Sequence, residues 1–508
     1  MSCAACLRRS WLRAARAVPN VRRASCWPSA EELYGTSHPI YSRQMKLTSA
    51  ELRAVIALAV GMFCVQVDFF ALNLALPRMA VDLDETTTNM QWVISAYMIA
   101  VGAAMIPGGR LGDLRGHRRI VVAGLALFGG ASLICGLSSS YGLLIGFRAI
   151  QGLGAAALFT VSVAAISNAV VSDHRALAIG ALFGIANIGT ALGPFIGGLL
   201  TEQLSWRWVF FLNVPLSAIA IFCCMRWLPS MPPAAAKVRI DWLGLILVSS
   251  GIVAVAYAAD RGGEWGWSSP KLIGLLALAV VLFVVFIVVE RRVRDPLINL
   301  SLFRNRAFVL ITVGGTIANI VYTVTVLSTT IYLQDGRGLS PIVAGLVFLA
   351  PSVAVALAGP LAGRLAGWQP VPVLIPASLL LGGASLLATS AASVWGAYLP
   401  LLGLTGIALG LGWTLPSIGS QTVVAPARAG EAAGVNLTVM VTIAGVAVAL
   451  AGTLIELWAG GTADIVGATR GVLQLVSVLS MVGGASLLAV SLIGRRSRRS
   501  SELTSPAS

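Results

Sequence analysis

The sequence has few charged side chains and almost no histidine. Of its 508 residues, 11% are Asp, Glu, Lys or Arg and three are His, whereas 57% are hydrophobic. The mean hydropathy of +0.87 excludes a soluble globular protein of this length. Long apolar runs recur along the whole chain, so the sequence predicts one all-α polytopic membrane bundle rather than several soluble domains.

The sequence also lacks the patterns of common enzymes and metal proteins. It contains no HExxH motif, no nucleotide-binding P-loop and no pair of acidic residues within one apolar run. Its seven cysteines form no disulfide framework, and Cys3 and Cys6 make a CxxC pair with no second pair or nearby His. We therefore expect no enzyme activity, no metal and no cofactor.

Fourteen apolar runs are long enough to cross a bilayer as helices, which takes roughly 20 residues each. The predicted spans are approximately 53–76, 90–108, 119–138, 141–166, 177–200, 208–228, 242–259, 271–290, 307–330, 341–362, 371–390, 396–420, 432–455 and 471–493. Basic connections resist translocation, and most of the 35 basic residues fall on one side if the N-terminus is cytoplasmic. We therefore predict a protein of the cell membrane with both termini in the cytoplasm. The same scattering of charge over short connections argues against a nucleic-acid partner.

The order of spans and connections predicts two similar halves. We expect a first six-helix bundle at 52–228, a linker with two extra spans at 229–306 and a second six-helix bundle at 307–493. A weak repeat supports this division, since GGRLGDLRGHRR and GPLAGRLAGWQP each join the second and third spans of a half. Residues 1–51 are predicted to be a disordered cytoplasmic tail, and 494–508 a basic cytoplasmic tail.

Two other interpretations of the first 51 residues stay open. The Arg-rich segment that ends at Arg23 loosely resembles a transit peptide. Alternatively, translation starts at Met45, just ahead of the first span.

Asp68 lies inside the first span, in the stretch DFFALNLALP. A carboxylate at that depth costs about 2.5 to 3.5 kcal/mol on insertion scales, so it should face protein or a water-filled cavity. Arg148 is the only basic residue that the sequence places deep inside the membrane rather than near a span end, and its predicted depth matches that of Asp68. We expect the two side chains to interact, either as a proton-coupling pair or as a permanent structural ion pair.

Three further features carry candidate sites. The glycine-rich and basic connection after the second span is a candidate gating loop, with Gly109, Asp113, Arg115, Gly116, Arg118 and Arg119. In the fifth span, glycines at intervals of four residues and a proline predict close helix packing, with Gly189, Gly193, Pro194, Gly197 and Gly198. The candidate substrate cavity contains the polar residues Asn73, Asn319, Tyr322 and Asn436. Asn73 shares a helix face with Gln66, and that face has the alternative role of bonding a neighbouring helix.

These motifs together resemble the major facilitator superfamily. The Asp113 connection resembles its signature loop, RAIQGLGAAAL from Arg148 to Leu158 its fourth-span motif, and GIANIGTALGPFIGG from Gly184 to Gly198 its antiporter motif. DFFALNLALP and WRWVFFLNVP resemble the fourteen-span drug:proton antiporters. The sequence departs from the pattern at Leu114 and His117, where basic residues are usual, and at Gly367, which replaces an acid.

The resemblance implies two six-helix halves with two extra central helices and export of small molecules against protons. The scarcity of polar groups within the spans favours bulky apolar substrates over sugars, and the resemblance implies hydrophobic or cationic compounds. We therefore expect a proton-coupled exporter that works by alternating access, acts as a monomer and has a small molecule, protons and the bilayer as its partners. The alternative is a transporter of one metabolite by antiport or facilitated diffusion.

Overall fold

The structure is a computed structural model. It describes residues 47–72, 75–85, 90, 92–230, 241–293, 296–298, 300–339, 341–392, 394–424, 429–459 and 464–503. Within these residues, all regular secondary structure is helical. The predicted N-terminal tail up to residue 46, the last five residues and the candidate cavity residue Asn73 lie outside the described residues.

Fourteen helices in the described part of the chain are long and apolar enough to cross a membrane. This confirms the predicted fold class. They are α1 (Ser49–Ala71), α2 (Trp92–Arg115), α3 (His117–Leu137), α4 (Tyr141–Ala169), α5 (Arg175–Gln203), α6 (Arg207–Trp227), α7 (Trp242–Trp265), α8 (Pro270–Glu290), α9 (Arg306–Ile331), α10 (Pro341–Trp368), α11 (Val371–Ala391), α12 (Trp395–Thr422), α13 (Ala429–Ala459) and α14 (Ile465–Leu503). A short helix, Leu76–Asp82, follows α1.

The predicted gating loop is mostly helical. α2 continues to Arg115 and α3 begins at His117, so Gly116 alone separates them. Gly116 has φ of 93°, a conformation that glycine adopts without steric penalty, and this allows the chain to reverse within one residue. The predicted loop is therefore corrected to two helix ends and a one-residue turn. The corresponding segment of the second half is also helical, since α10 extends to Trp368.

The first six helices pack largely among themselves, and so do the last six. The two extra helices differ from each other. α8 packs mainly on α7 and is mostly exposed, whereas α7 contacts α2 of the first half and α13 of the second. Ser249 on α7 donates a hydrogen bond of 2.9 Å to the carbonyl oxygen of Ala103 on α2. α7 therefore lies along the junction of the two halves.

The two halves are in close contact at one end of the bundle. We call this the basic end, defined by the turn at Gly116 and the neighbouring Arg115, Arg118 and Arg119. Here α5 and α10 approach backbone to backbone, because a Cβ at Gly184 would lie 3.0 Å from the carbonyl oxygen of Ala356 as well as 2.7 Å from Pro360 Cδ. Such contact between small residues is a common way for membrane helices to pack. The bundle is thus closed between its halves at the basic end.

Candidate functional site: a buried Asp68–Arg148 pair

Asp68 on α1 and Arg148 on α4 form a direct ion pair inside the first half. The distance from Arg148 Nη1 to Asp68 Oδ2 is 2.7 Å, and both side chains are 0% exposed. Of the basic side chains that the structure describes, Arg148 is the one classed as buried. The contact expected from the matching depths of the two residues is present.

Two neutral amides complete the hydrogen bonding of the Asp68 carboxylate. Gln151 Nε2 on α4 donates to Oδ1 at 3.0 Å, and Asn213 Nδ2 on α6 donates to the same oxygen at 2.6 Å. Together with the Arg148 bond, these are three donors to one carboxylate. Hydrogen bonds to an ionised acceptor stabilise the charged form, so this shell of donors fits an ionised Asp68.

Arg148 is held by more than its ion pair. Its Nε donates to the carbonyl oxygen of Val93 on α2 at 2.8 Å, and its Nη1 also donates to Gln151 Oε1 at 2.6 Å. The guanidinium lies over the ring of Tyr97, with Cζ 4.2 Å from the ring centroid. A cation over an aromatic face is stabilised by about 2 kcal/mol when it is desolvated. Its Nη2 has no hydrogen-bond partner among the described residues.

The ion pair joins four helices through side chains. Gln151 Nε2 donates to Ser132 Oγ on α3 at 2.6 Å, which adds α3 to the α1, α4 and α6 contacts. Removing one member of a buried ion pair costs about 3 to 5 kcal/mol, since it leaves the other charge uncompensated. The packing of the first half therefore depends on the charge of Asp68.

The glycine stripe of α5 packs on the helix that carries Asp68. A Cβ at Gly189 would lie 2.6 Å from the Phe63 carbonyl oxygen, and one at Gly193 would lie 2.7 Å from Phe70 Cβ. A Cβ at Gly197 would lie closer still to the backbone of Ala71. Pro194 and Gly198 are half-buried on the same helix. These three glycines thus hold α5 against α1 on both sides of Asp68 along the helix.

Gln66 bonds the same neighbouring helix. Its Nε2 donates to Thr190 Oγ1 on α5 at 2.7 Å. For Gln66, the structure therefore shows the alternative role considered from the sequence, which is a hydrogen bond to a neighbouring helix.

Asp113 connects the two halves at the basic end. Its Oδ2 accepts a hydrogen bond of 3.1 Å from the backbone amide of Glu431 on α13, and its Oδ1 lies 3.1 Å from His117 Nε2. Arg118 donates to the carbonyl oxygen of Met225 on α6. Gly109 and Gly116 are buried in this region, whereas Arg115 and Arg119 are exposed.

The predicted cavity residues of the second half have three different surroundings. Asn319 donates to the carbonyl oxygen of Met440 at 2.9 Å, so its amide is used between α9 and α13. Tyr322 lines a small cavity between α9, α10 and α12 with Thr325, Ser352 and Thr405. Asn436 on α13 is 0% exposed, and neither polar atom of its amide has a hydrogen-bond partner among the described residues.

Gln151, Asn213 and Ser132 were not selected from the sequence. Gln151 stands three residues after Arg148 and therefore on the same helix face, a spacing that could have identified it. Asn213 lies in the quoted stretch WRWVFFLNVP, where a single amide in an apolar run is the available signal. Nothing in the sequence indicates that both amides converge on one carboxylate oxygen.

Comparisons with known proteins agree with this architecture. The family model for the Major Facilitator Superfamily matches residues 58–449. Multidrug resistance protein Stp of Mycobacterium tuberculosis is 33% identical over 423 residues, which are 82% of this chain and 78% of that protein. Puromycin resistance protein pur8 of Streptomyces alboniger is 36% identical over 391 residues, which are 75% and 77% of the two chains. The tetracenomycin C resistance and export protein of Streptomyces glaucescens is 29% identical over 390 residues, 75% of this chain and 71% of that protein.

A solved structure supports the fold independently. The human organic anion transporter MFSD10 (TETRAN) aligns with a TM-score of 0.59 at 15% identity, covering 85% of this chain and 99% of that one. The likeness concerns the fold alone, and the sequence relatives carry the family assignment. The chain is a membrane transporter that belongs to the major facilitator superfamily.

Proposed function

We propose that the protein exports hydrophobic or cationic small molecules in exchange for protons. The observation that carries the proposal is Asp68, a carboxylate that is 0% exposed and bound by Arg148 at 2.7 Å inside a membrane-spanning helix. An ionisable group within a span typically marks a substrate or proton pathway. Two relatives are named for resistance to multiple drugs and to puromycin, and these names support the same substrate class.

The basic end is proposed to face the cytoplasm, as the distribution of basic residues predicts. Its closure by α5 and α10 and by the Asp113 bond then shields the site from the cytoplasm. We propose that segments 52–228 and 307–493 rock against each other, so that opening the basic end admits substrate from the cytoplasm. The contacts of α7 with α2 and α13 support a role for this one extra helix at the junction where the halves would move.

The coupling step follows from the charge of Asp68. In the state described, the carboxylate is bound by three donors and holds α1 to α4 and α6. A proton arriving from outside neutralises Asp68 and removes the charge that holds Arg148. Release of this link favours the state that opens to the cytoplasm, where substrate binding favours loss of the proton.

The substrate site is proposed to lie between the halves. Helices α4 and α5 contact α12 and α13 there, and buried polar atoms without partners among the described residues occur on these helices at Ser162, Asn187, Thr414 and Asn436. Most other buried side chains are apolar. A few polar groups in an apolar site suit a bulky apolar molecule with one polar or charged group.

Everted membrane vesicles test this function. We expect puromycin or a hydrophobic organic cation such as ethidium to dissipate an imposed pH gradient in vesicles with the wild-type protein. The Asp68→Asn protein should retain binding and lose this response. Transport of the probe without any effect on the pH gradient would indicate facilitated diffusion and contradict the proposal.

A further inference from the structure

Asn213 is the one group in the shell of Asp68 whose hydrogen-bonding role is easy to reverse. A carboxylate accepts hydrogen bonds, whereas a protonated carboxyl must also donate one. In the described state, the Oδ1 atom of Asp68 receives N–H groups from Gln151 and Asn213, and Oδ2 receives one from Arg148. A proton on Asp68 therefore needs an acceptor that the present arrangement does not supply.

Arg148 and Gln151 are poor candidates for that acceptor. The arginine side chain has only donors, so it cannot accept a hydrogen bond from a protonated Asp68, although Oδ2 can still accept from it as a neutral oxygen. Gln151 has a carbonyl oxygen, but Oε1 already accepts from Arg148 Nη1 at 2.6 Å, and its Nε2 is bound to both Asp68 and Ser132. Turning the Gln151 amide would break three hydrogen bonds.

The oxygen of Asn213 is held only weakly. Its nearest polar contact is the thiol of Cys64, with 3.6 Å from Sγ to Oδ1. Thiols are weak donors and weak acceptors, so either end of the amide tolerates this neighbour. A half-turn of the Asn213 amide therefore loses one weak contact and places Oδ1 against Asp68.

The other titratable groups that face Asp68 do not provide this acceptor. They are Arg148 on α4, Tyr97 on α2, Cys135 on α3 and Cys64 on α1 itself. The hydroxyl of Tyr97 makes no hydrogen bond to Asp68, and Cys135 donates to the carbonyl oxygen of Leu144. On α5, Gly189 and Gly193 pack on α1 near this level, and Thr190 bonds Gln66.

We propose that Asn213 is a positioning residue whose amide orientation changes with the protonation state of Asp68. It donates to the ionised carboxylate and, after turning its amide, accepts from the protonated carboxyl. The link between α1 and α6 then persists in both states, whereas the link between α1 and α4 through Arg148 is an ion pair only when Asp68 is ionised and weakens to a bond with a neutral oxygen when it is protonated. Protonation thus loosens one specific helix contact. This inference rests on the proposed function, since it assigns a partner to the same proton.

Infrared difference spectroscopy of the full chain in lipid nanodiscs tests the inference. The C=O band of protonated Asp68 is recorded as the pH is lowered and is assigned by its absence in Asp68→Asn. In Asn213→Leu the O–H group loses its acceptor and the carboxylate loses a donor. We expect the band at a higher wavenumber and a titration midpoint about one pH unit higher, which is a tenfold gain in proton affinity. The midpoint rises because a charge-assisted bond to the anion is stronger than the bond made by the neutral acid.

A second variant and a matched control keep the test decisive. Asn213→Ala only removes atoms and carries the same expectation if the leucine variant does not fold. Asn319→Leu removes another buried amide, one that bonds Met440 of the second half, and should leave the Asp68 band unchanged. An Asp68 band of the same position and midpoint in wild type and Asn213 variants would overturn the role of Asn213 and leave the proposed function standing. Absence of any Asp68 band over the pH range would overturn both.

Discussion

The carboxylate of Asp113 on α2 accepts a hydrogen bond of 3.1 Å from the backbone amide of Glu431 on α13. The bond joins the first half of the bundle to the second at the basic end, where α5 and α10 also meet. Asp113 is 8% exposed, so water competes little for its oxygen atoms. Transport by alternation requires this bond to break whenever the basic end opens.

Asp113→Ala should shift the protein toward the state that is open at the basic end. A hydrogen bond to a charged group contributes about 1.5 to 3 kcal/mol, which corresponds to roughly a tenfold or greater change in the ratio of states. Alkylation of a cysteine introduced at Leu177, a position with an existing side chain whose backbone lies beside Gly363 of α10, reports the change. We expect faster alkylation in the Asp113→Ala background.

Asp82→Ala is the control for that experiment. Asp82 accepts a hydrogen bond of 2.9 Å from Trp206 Nε1 at the other end of the first half. Its removal should not alter alkylation at position 177. Equal alkylation in the Asp113 and Asp82 variants would show that Asp113 does not stabilise the closed basic end.

Gly193→Ala should impair transport more than an alanine at a glycine with free space. The new Cβ would lie 2.7 Å from Phe70 Cβ, so α5 and α1 must separate next to Asp68. Overpacking of this kind costs about 1 to 3 kcal/mol. Gly146→Ala on α4 is the matched control, because a Cβ there meets nothing within 4 Å. Drug transport and thermal stability in detergent should both fall in the Gly193 variant only, and equal effects of the two substitutions would contradict close α1–α5 packing.

Arg148→Ala should strongly destabilise the first half. The substitution leaves Asp68 buried with a charge and without its cation, at a cost of about 3 to 5 kcal/mol. Adding Asp68→Asn removes that charge, so the double variant should be more stable than Arg148→Ala alone. Thermal unfolding of the wild type, Arg148→Ala, Asp68→Asn and the double variant in one detergent measures the coupling. Additive losses of stability would show that the two side chains do not interact energetically.

The sequence predicted the large features of the fold because they depend on composition and length. Fourteen spans follow from apolar runs and need no tertiary information. The helix ends were less accurate. α2 continues through the polar stretch to Arg115 because nothing in GGRLGDLR forbids a helix, and only the positive φ of Gly116 ends it.

The site was predicted in part for a similar physical reason. Asp68 and Arg148 stand out because a charge within a span is costly, and such a charge can be recognised from the sequence alone. Gln151 and Asn213 carry no charge, so their importance depends on where α4 and α6 place them in three dimensions. Asn319 was chosen as a polar residue in a span, yet its amide bonds a backbone carbonyl of α13.

Proton release on substrate binding tests the central claim most directly. The purified protein is held in weakly buffered detergent solution with a pH indicator, and a saturating hydrophobic cation is added. We predict proton release by the wild-type protein and none by Asp68→Asn, with binding of the cation retained in both. Equal proton release by the two proteins, or cation binding by the wild type without any release, would contradict the assignment of Asp68 as the proton-coupling residue.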